Sequence, residues 1–231
     1  MSYTGILFDF NGVLLWDSAL HEQAWAAFAR QVRQAPFTVD EMALQMHGRS
    51  NHAILEYLTG QTLDFAAAHA LAQQKEAIYR QLCLDLGAAF RLSPGAAALL
   101  DWLAARGVPR TIATASEAIN VAFFVEHLRL DRWFDVDQIV FDDGSFANKP
   151  APDIYLRAAA RLGLPPAACV VVEDSRAGIR AAHAAGAGQV VALGPAETHA
   201  ALRQLPGVTL TIASLAQLPR SLFAAAGETA A

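Results

Sequence analysis

Cysteine and lysine are the scarce chemistry-bearing residues of this 231-residue chain, with two of each against fifteen arginines. The cysteines, Cys83 and Cys169, fall in segments that read as a helix and a strand and lack metal-like spacing. A disulfide framework and a thiolate metal site are therefore excluded, and both thiols read as reduced core residues. Long apolar runs are missing as well: no stretch approaches the twenty or so apolar residues of a membrane span. The opening "MSYTGILFDF" has neither the basic stretch nor the apolar segment of a signal peptide. Clustered cations are also absent, and the net charge of −5 argues against nucleic acid or an anionic membrane as the main partner. The chain reads as cytoplasmic, and its oligomeric state is open, a monomer being compatible with it. The rarity of lysine marks Lys75 and Lys149 for roles that a planar guanidinium does not fill.

What is present is a set of short apolar runs that read as buried strands, over 5–10, 108–114, 137–141, 168–173, 189–193 and 208–213. They show no polar alternation and are separated by Ala-rich helical stretches, which is the pattern of a parallel sheet covered on both faces. The helix in "PGAAALLDWLAARG" has Pro94 near its start and Gly107 past its end, and "SRAGIRAAHAAGAG" closes at Gly186 in the same way. Strand alternating with helix predicts a doubly wound, Rossmann-like α/β domain with its site at the carboxyl ends of the strands. Residues 16–88 break the alternation: they carry helical patterns only. The expected organisation is a core domain of residues 1–15 and 89–231, with a helical cap domain over 16–88 inserted after the first strand.

Four stretches put polar residues at strand ends: "LFDFNGVLLWDS" with Asp9, "TIATAS" with Thr114, "ANKPAPDIY" with Lys149, and "VVVEDSRAGIRAA" with Glu173 and Asp174. In this order they resemble the haloacid dehalogenase-like hydrolase superfamily over essentially the whole chain. "NKPAPDIYLRAA" and "VVEDSRAGIRAAHAAG" are most similar to its β-phosphoglucomutase-like branch.

That resemblance implies a Mg²⁺-dependent phosphatase or phosphotransferase acting on a small phosphorylated metabolite of the sugar phosphate kind. Asp9 would be the nucleophile that forms an aspartyl-phosphate. Asp9, the backbone carbonyl of Asn11, Glu173 and Asp174 would hold Mg²⁺, a hard cation that prefers oxygen. Thr114, the Ala115 amide and Lys149 would bind the phosphate, Lys149 also stabilising charge in the transition state. In the cap, the resemblance places Lys75 in "QQKEAIYRQL", a hinge histidine at His21, and a substrate loop "HGRSN" with Gly48, Arg49, Ser50 and Asn51. Asn51 stands where the mutase has a phosphate-gripping arginine, and Arg49 lies two residues earlier.

The family's D-x-D-G motif is D-F-N-G here, with Asn11 in place of the second acid, which serves as general acid and then general base. An amide carries no such proton, and losing an acid-base group costs about 10²–10⁴-fold in rate. Asp17, in place of the usual Ser or Thr, is the one local substitute; its other reading is the cap of the first cap helix. Two alternatives follow: a weak or silent relative that binds a phosphometabolite or partner, and a 2-haloacid dehalogenase. That last branch reads D-x-Y-G at this loop and has no need of paired acids for a metal.

Overall fold

A computed structural model describes residues 2–46 and 51–223. Contacts divide the chain into two compact units, Met1–Trp16 with Arg91–Ala231, and Asp17–Phe90.

The first unit is built on six parallel strands: β1 (Gly5–Phe8), β2 (Arg110–Glu117), β3 (Val140–Asp142), β4 (Cys169–Glu173), β5 (Gln189–Leu193) and β6 (Val208–Ile212), in the order β3-β2-β1-β4-β5-β6. Each apolar run read from the sequence forms one of them. The runs are continuous because both faces of the sheet are covered. Leu7, Ala113, Val171 and Val190 pack on one face with the helices described below. Their strand neighbours Ile6, Phe8, Ile112, Val170 and Val172, pointing the other way, are just as buried. β1 stops at Phe8, short of the expected residue 10. β2 runs on to Glu117, past the expected end at Thr114, with a register shift between Ala113 and Glu117.

The second unit holds α1 (Ser18–Arg33), a short α2 (Val39–Glu41), α3 (Asn51–Thr59) and α4 (Phe65–Asp85). Within this helical stretch, residues 39–46 form only the single turn α2, opened by a Thr38/Glu41 capping box, running into a π-helical stretch Met42–Met46. α4 starts where the Asp64 side chain accepts from the Ala67 amide. Leu20, Ala24, Trp25, Phe28 and Ala29 recur at helical spacing on α1 and are buried, as are Ala68 and Ala72 on α4. Trp25, Phe28, Ile54, Leu55 and Leu58 join the two alanines in one apolar cluster.

The first unit's helices are α5 (Ala96–Ala105), α6 (Ala118–Leu128), α7 (Asp153–Arg161), α8 (Arg176–Ala184) and α9 (His199–Leu202). Ile154, Tyr155, Ala158 and Ala159 of α7 and Ile179, Ala181 and Ala182 of α8 cover the Leu7 face. Cys169 is buried in β4 and Cys83 in α4, and both are free thiols. No described helix is long and apolar enough to cross a membrane.

Candidate functional site

The register of the sheet brings the expected residues of the first unit together. Phe8 pairs with Val172 on one side and Ile112 on the other, so β1 and β4 finish side by side while β2 runs on past them to Glu117. Asp9, one residue past β1, donates its amide to Val172 O at 3.0 Å and lies beside Glu173. Lys149, from the loop between β3 and α7, reaches both acids: its Nζ is 2.5 Å from Asp9 Oδ1 and 2.6 Å from Glu173 Oε1.

Glu173 is wholly buried and its oxygens are fully engaged. Oε1 accepts from Lys149 and from the Tyr155 hydroxyl at 2.8 Å; Oε2 accepts from the Asp174 amide (3.0 Å), the Ser175 amide (2.9 Å) and Ser175 Oγ (3.0 Å). Five donors meet the four or so lone-pair sites of a carboxylate. Glu173 is thereby an anchor for Lys149 and for the turn into α8. Oxygens of Asp9, Glu173 and Asp174 all lie within 4.8 Å of one another.

Two glycines permit this density. A Cβ on Gly12, whose φ is +82°, would stand 2.1 Å from Asp174 Oδ2, and one on Gly178 would stand 1.6 Å from Glu173 Oε1.

Two of the three carboxylates bond the one ammonium, and the protonation of the group reflects it. Burial pushes the Asp9 carboxyl up to about 7, with Lys149 pulling it down and Glu173 adding to the rise. Burial, then the charges of Asp9 and Glu173, push Asp174 up to about 8. Burial acts on Glu173 in the same sense, but the charge and hydrogen bond of Lys149 outweigh it and hold Glu173 below the usual range. Lys149 is raised: desolvation opposes this, and the two acids overcome it. The donor set is all hard oxygen with surplus negative charge, which fits a hydrated Mg²⁺. Of the three acids, Asp9 and Asp174 are the ones with carboxylate oxygens left to hold it, since both Glu173 oxygens are engaged.

The other side of the cluster is hydroxyl-rich. Asn11 Oδ1 accepts from Ser116 Oγ at 2.9 Å and from Thr114 Oγ1 at 3.4 Å, and the Ser116 amide donates to Thr114 Oγ1 at 3.1 Å. Thr114 is buried and Ala115 exposed. Ser116, Tyr155 and Gly178 were not singled out from the sequence. Ser116 follows from β2 running past Thr114. Tyr155 stands in the quoted "NKPAPDIY", and a glycine inside "SRAGIRAA", costly in a helix, was a usable signal.

His21 and Lys75 meet in the second unit. Lys75 Nζ lies 2.8 Å from His21 Nδ1 and 2.8 Å from Glu76 Oε1. Lys75 is buried rather than solvated, with Trp25 and Tyr79 rings 5.1 and 5.5 Å from Nζ. The Asp17 side chain makes no helix cap: buried, it accepts from Tyr79 Oη at 2.5 Å, with His21 Nε2 3.3 Å away. His21 stacks on Tyr79 at 4.0 Å. The substitute acid is thus engaged within its own unit. Asn51 is the first residue of α3 and half-buried. Gly48, Arg49 and Ser50 lie outside the described residues.

Residues 3–186 match the family model described as haloacid dehalogenase-like hydrolase. The chain is 33% identical over 188 residues to the fructose-1-phosphate phosphatase of Escherichia coli strain K12, covering 80% of this chain and 93% of that protein. It is 32% identical over 222 residues to hexitol phosphatase A of the same organism, covering 94% of each. Among solved structures, one described as a hydrolase of the same superfamily, family IA, variant 3, from Entamoeba histolytica superposes with a TM-score of 0.89 at 35% identity, covering 96% of this chain and 97% of that one.

Proposed function

The chain belongs to the haloacid dehalogenase-like hydrolase family, and on that premise we propose that it is a Mg²⁺-dependent phosphatase or phosphotransferase of small, sugar-like phosphates, working through Asp9. The observation that carries the reading is the Lys149 ammonium held between Asp9 and Glu173 at the carboxyl ends of adjacent strands. A carboxylate attacks a phosphate only if the repulsion between the two anions is relieved. Lys149 supplies one positive charge to that contact, and Glu173, Tyr155 and Ser175 keep it in place. Asp9, Asp174 and the Asn11 carbonyl would hold Mg²⁺, which would supply the remaining charge neutralisation between carboxylate and phosphate.

Asp9 then attacks phosphorus in line with the leaving oxygen, giving an aspartyl-phosphate that water later hydrolyses. Thr114 Oγ1 and the Ala115 amide donate to the phosphoryl oxygens. The helical unit with His21, Lys75 and residues 48–51 is taken as the substrate-selecting cap. Asn11 donates hydrogen bonds but transfers no proton, so turnover of sugar phosphates, whose alkoxide leaves only with a proton, is slow.

A second reading, a binding protein without turnover, draws on Asn11 alone. A panel of sugar, nucleotide, acyl and aryl phosphates, run with and without Mg²⁺ on the wild type and Asn11→Asp, separates the two. Metal-dependent turnover by the wild type supports the enzyme, whereas activity in Asn11→Asp only supports the binder. Halide release from a 2-haloacid without metal would overturn both.

A further inference from the structure

Asn11 affects the two halves of the proposed reaction unequally, and we infer that the chain takes a phosphoryl group from acyl phosphates onto Asp9 and then retains it as a long-lived phospho-form. The inference rests on the function proposed above, and it names the donor class and the fate of the intermediate.

In the first half, an Asp9 carboxylate oxygen forms a bond to phosphorus while the bond from phosphorus to the bridging oxygen of the donor breaks. The electron pair leaves with that oxygen. If the donor is a sugar phosphate, the leaving group is an alkoxide and needs a proton that the Asn11 amide does not have. If the donor is an acyl phosphate, the leaving group is a carboxylate, stable as an anion near neutral pH, and no proton is required. Asn11 therefore slows the first donor and spares the second.

The second half carries no such choice. Water must lose a proton as its oxygen attacks the phosphorus of the phosphorylated Asp9, whichever donor delivered the group. The groups that hold the Asn11 oxygen, Ser116 Oγ at 2.9 Å and Thr114 Oγ1 at 3.4 Å, are alcohols and accept no proton at neutral pH. They also turn the amide oxygen toward β2, so the other arm of the fork carries only N–H donors, which favour an anionic phosphoryl group over its loss. Hydrolysis is slowed by the 10²–10⁴-fold that an acid-base residue contributes, while phosphorylation by an acyl phosphate is not. Phosphorylated Asp9 then accumulates to one group per chain.

The test mixes the full chain with acetyl phosphate and Mg²⁺ and follows intact mass and acetate release. One phosphoryl group per wild-type chain, absent in Asp9→Asn, is expected, with a burst of one equivalent of acetate followed by slow release. In Asn11→Asp the adduct should decay about 10²–10⁴-fold faster. If that variant does not fold, the wild-type burst decides alone: steady acetate release without a burst overturns the inference. So does a wild-type adduct that decays as fast as that of Asn11→Asp. No wild-type adduct, with metal-dependent hydrolysis of sugar phosphates by the wild type, overturns the inference and leaves the proposed function standing. No adduct and no hydrolysis of any phosphate by either protein removes both.

Discussion

Gly178→Ala sets two effects of opposite sign against each other, and the geometry around Glu173 decides between them. In an ordinary helix the change gains about 0.5–1 kcal/mol, because alanine has less backbone entropy to lose. Here the new Cβ would fall 1.6 Å from Glu173 Oε1 and 2.0 Å from its Cδ, so the carboxylate must move. It has nowhere to go: Lys149, Tyr155 and Ser175 hold both oxygens in a fully buried position. Moving it sacrifices hydrogen bonds to a charged group, worth about 1.5–3 kcal/mol each. One such loss set against the helix gain leaves a net destabilisation of about 0.5–2.5 kcal/mol, and two such losses leave more. For a chain of this size each kcal/mol lowers Tm by roughly 2–4 °C. Thermal unfolding in EDTA should therefore show a drop of several degrees, and Mg²⁺-dependent turnover should fall with it. A variant as stable as the wild type or more so, with unchanged turnover, would refute the packing argument and the role given to Glu173.

Tyr155→Phe keeps the buried ring and deletes the hydroxyl that donates to Glu173 Oε1; it should cost about 1.5–3 kcal/mol by urea unfolding with an unchanged m-value. Apo-protein stability should decline as pH rises from about 4 to about 8. Asp9 and Asp174 titrate near 7 and 8 in the folded state, above their ordinary 3.8, so the folded chain binds more protons than the unfolded one across that window. Lowered Glu173 adds stability that is lost only in acid, and raised Lys149 adds stability that is lost only in strong alkali, so neither reverses the slope. Melting curves in EDTA should show that decline and excess Mg²⁺ should flatten it; a Tm in EDTA that rises over the same range contradicts the assignment. Lys75→Met removes the buried ammonium that bonds Glu76 and should destabilise the helical unit by about 3–5 kcal/mol, while Lys75→Met with Glu76→Leu should recover most of that loss in the same unfolding assay. Asn11→Asp adds a fourth carboxylate and should lower apo Tm while raising sugar-phosphate turnover by about 10²–10⁴-fold. Peptide mass should accompany that comparison, because in an Asn-Gly step the Gly12 nitrogen can attack the Asn11 side chain and generate aspartate in the wild type.

The strands were legible in the sequence because a strand covered on both faces needs an unbroken apolar run, and each of the six runs is local. Asp9, Thr114, Lys149, Glu173 and Asp174 were legible through short motifs at the ends of those runs, and Asn11 as the departure from one of them. Tertiary structure alone decided the partners. Ser116 bonds Asn11 across 105 positions, Tyr79 bonds Asp17 across 62, and Tyr155 meets Glu173 from another helix. No periodicity in a single segment encodes such pairs, since they arise from the order in which the strands lie and the register in which they pair. The same holds for Gly178, whose missing Cβ is conspicuous only once Glu173 occupies the space. Sequence supplied the acids; packing decided which of them is saturated, which are left to share a surplus of charge, and that the acid at position 17 is bound to a tyrosine.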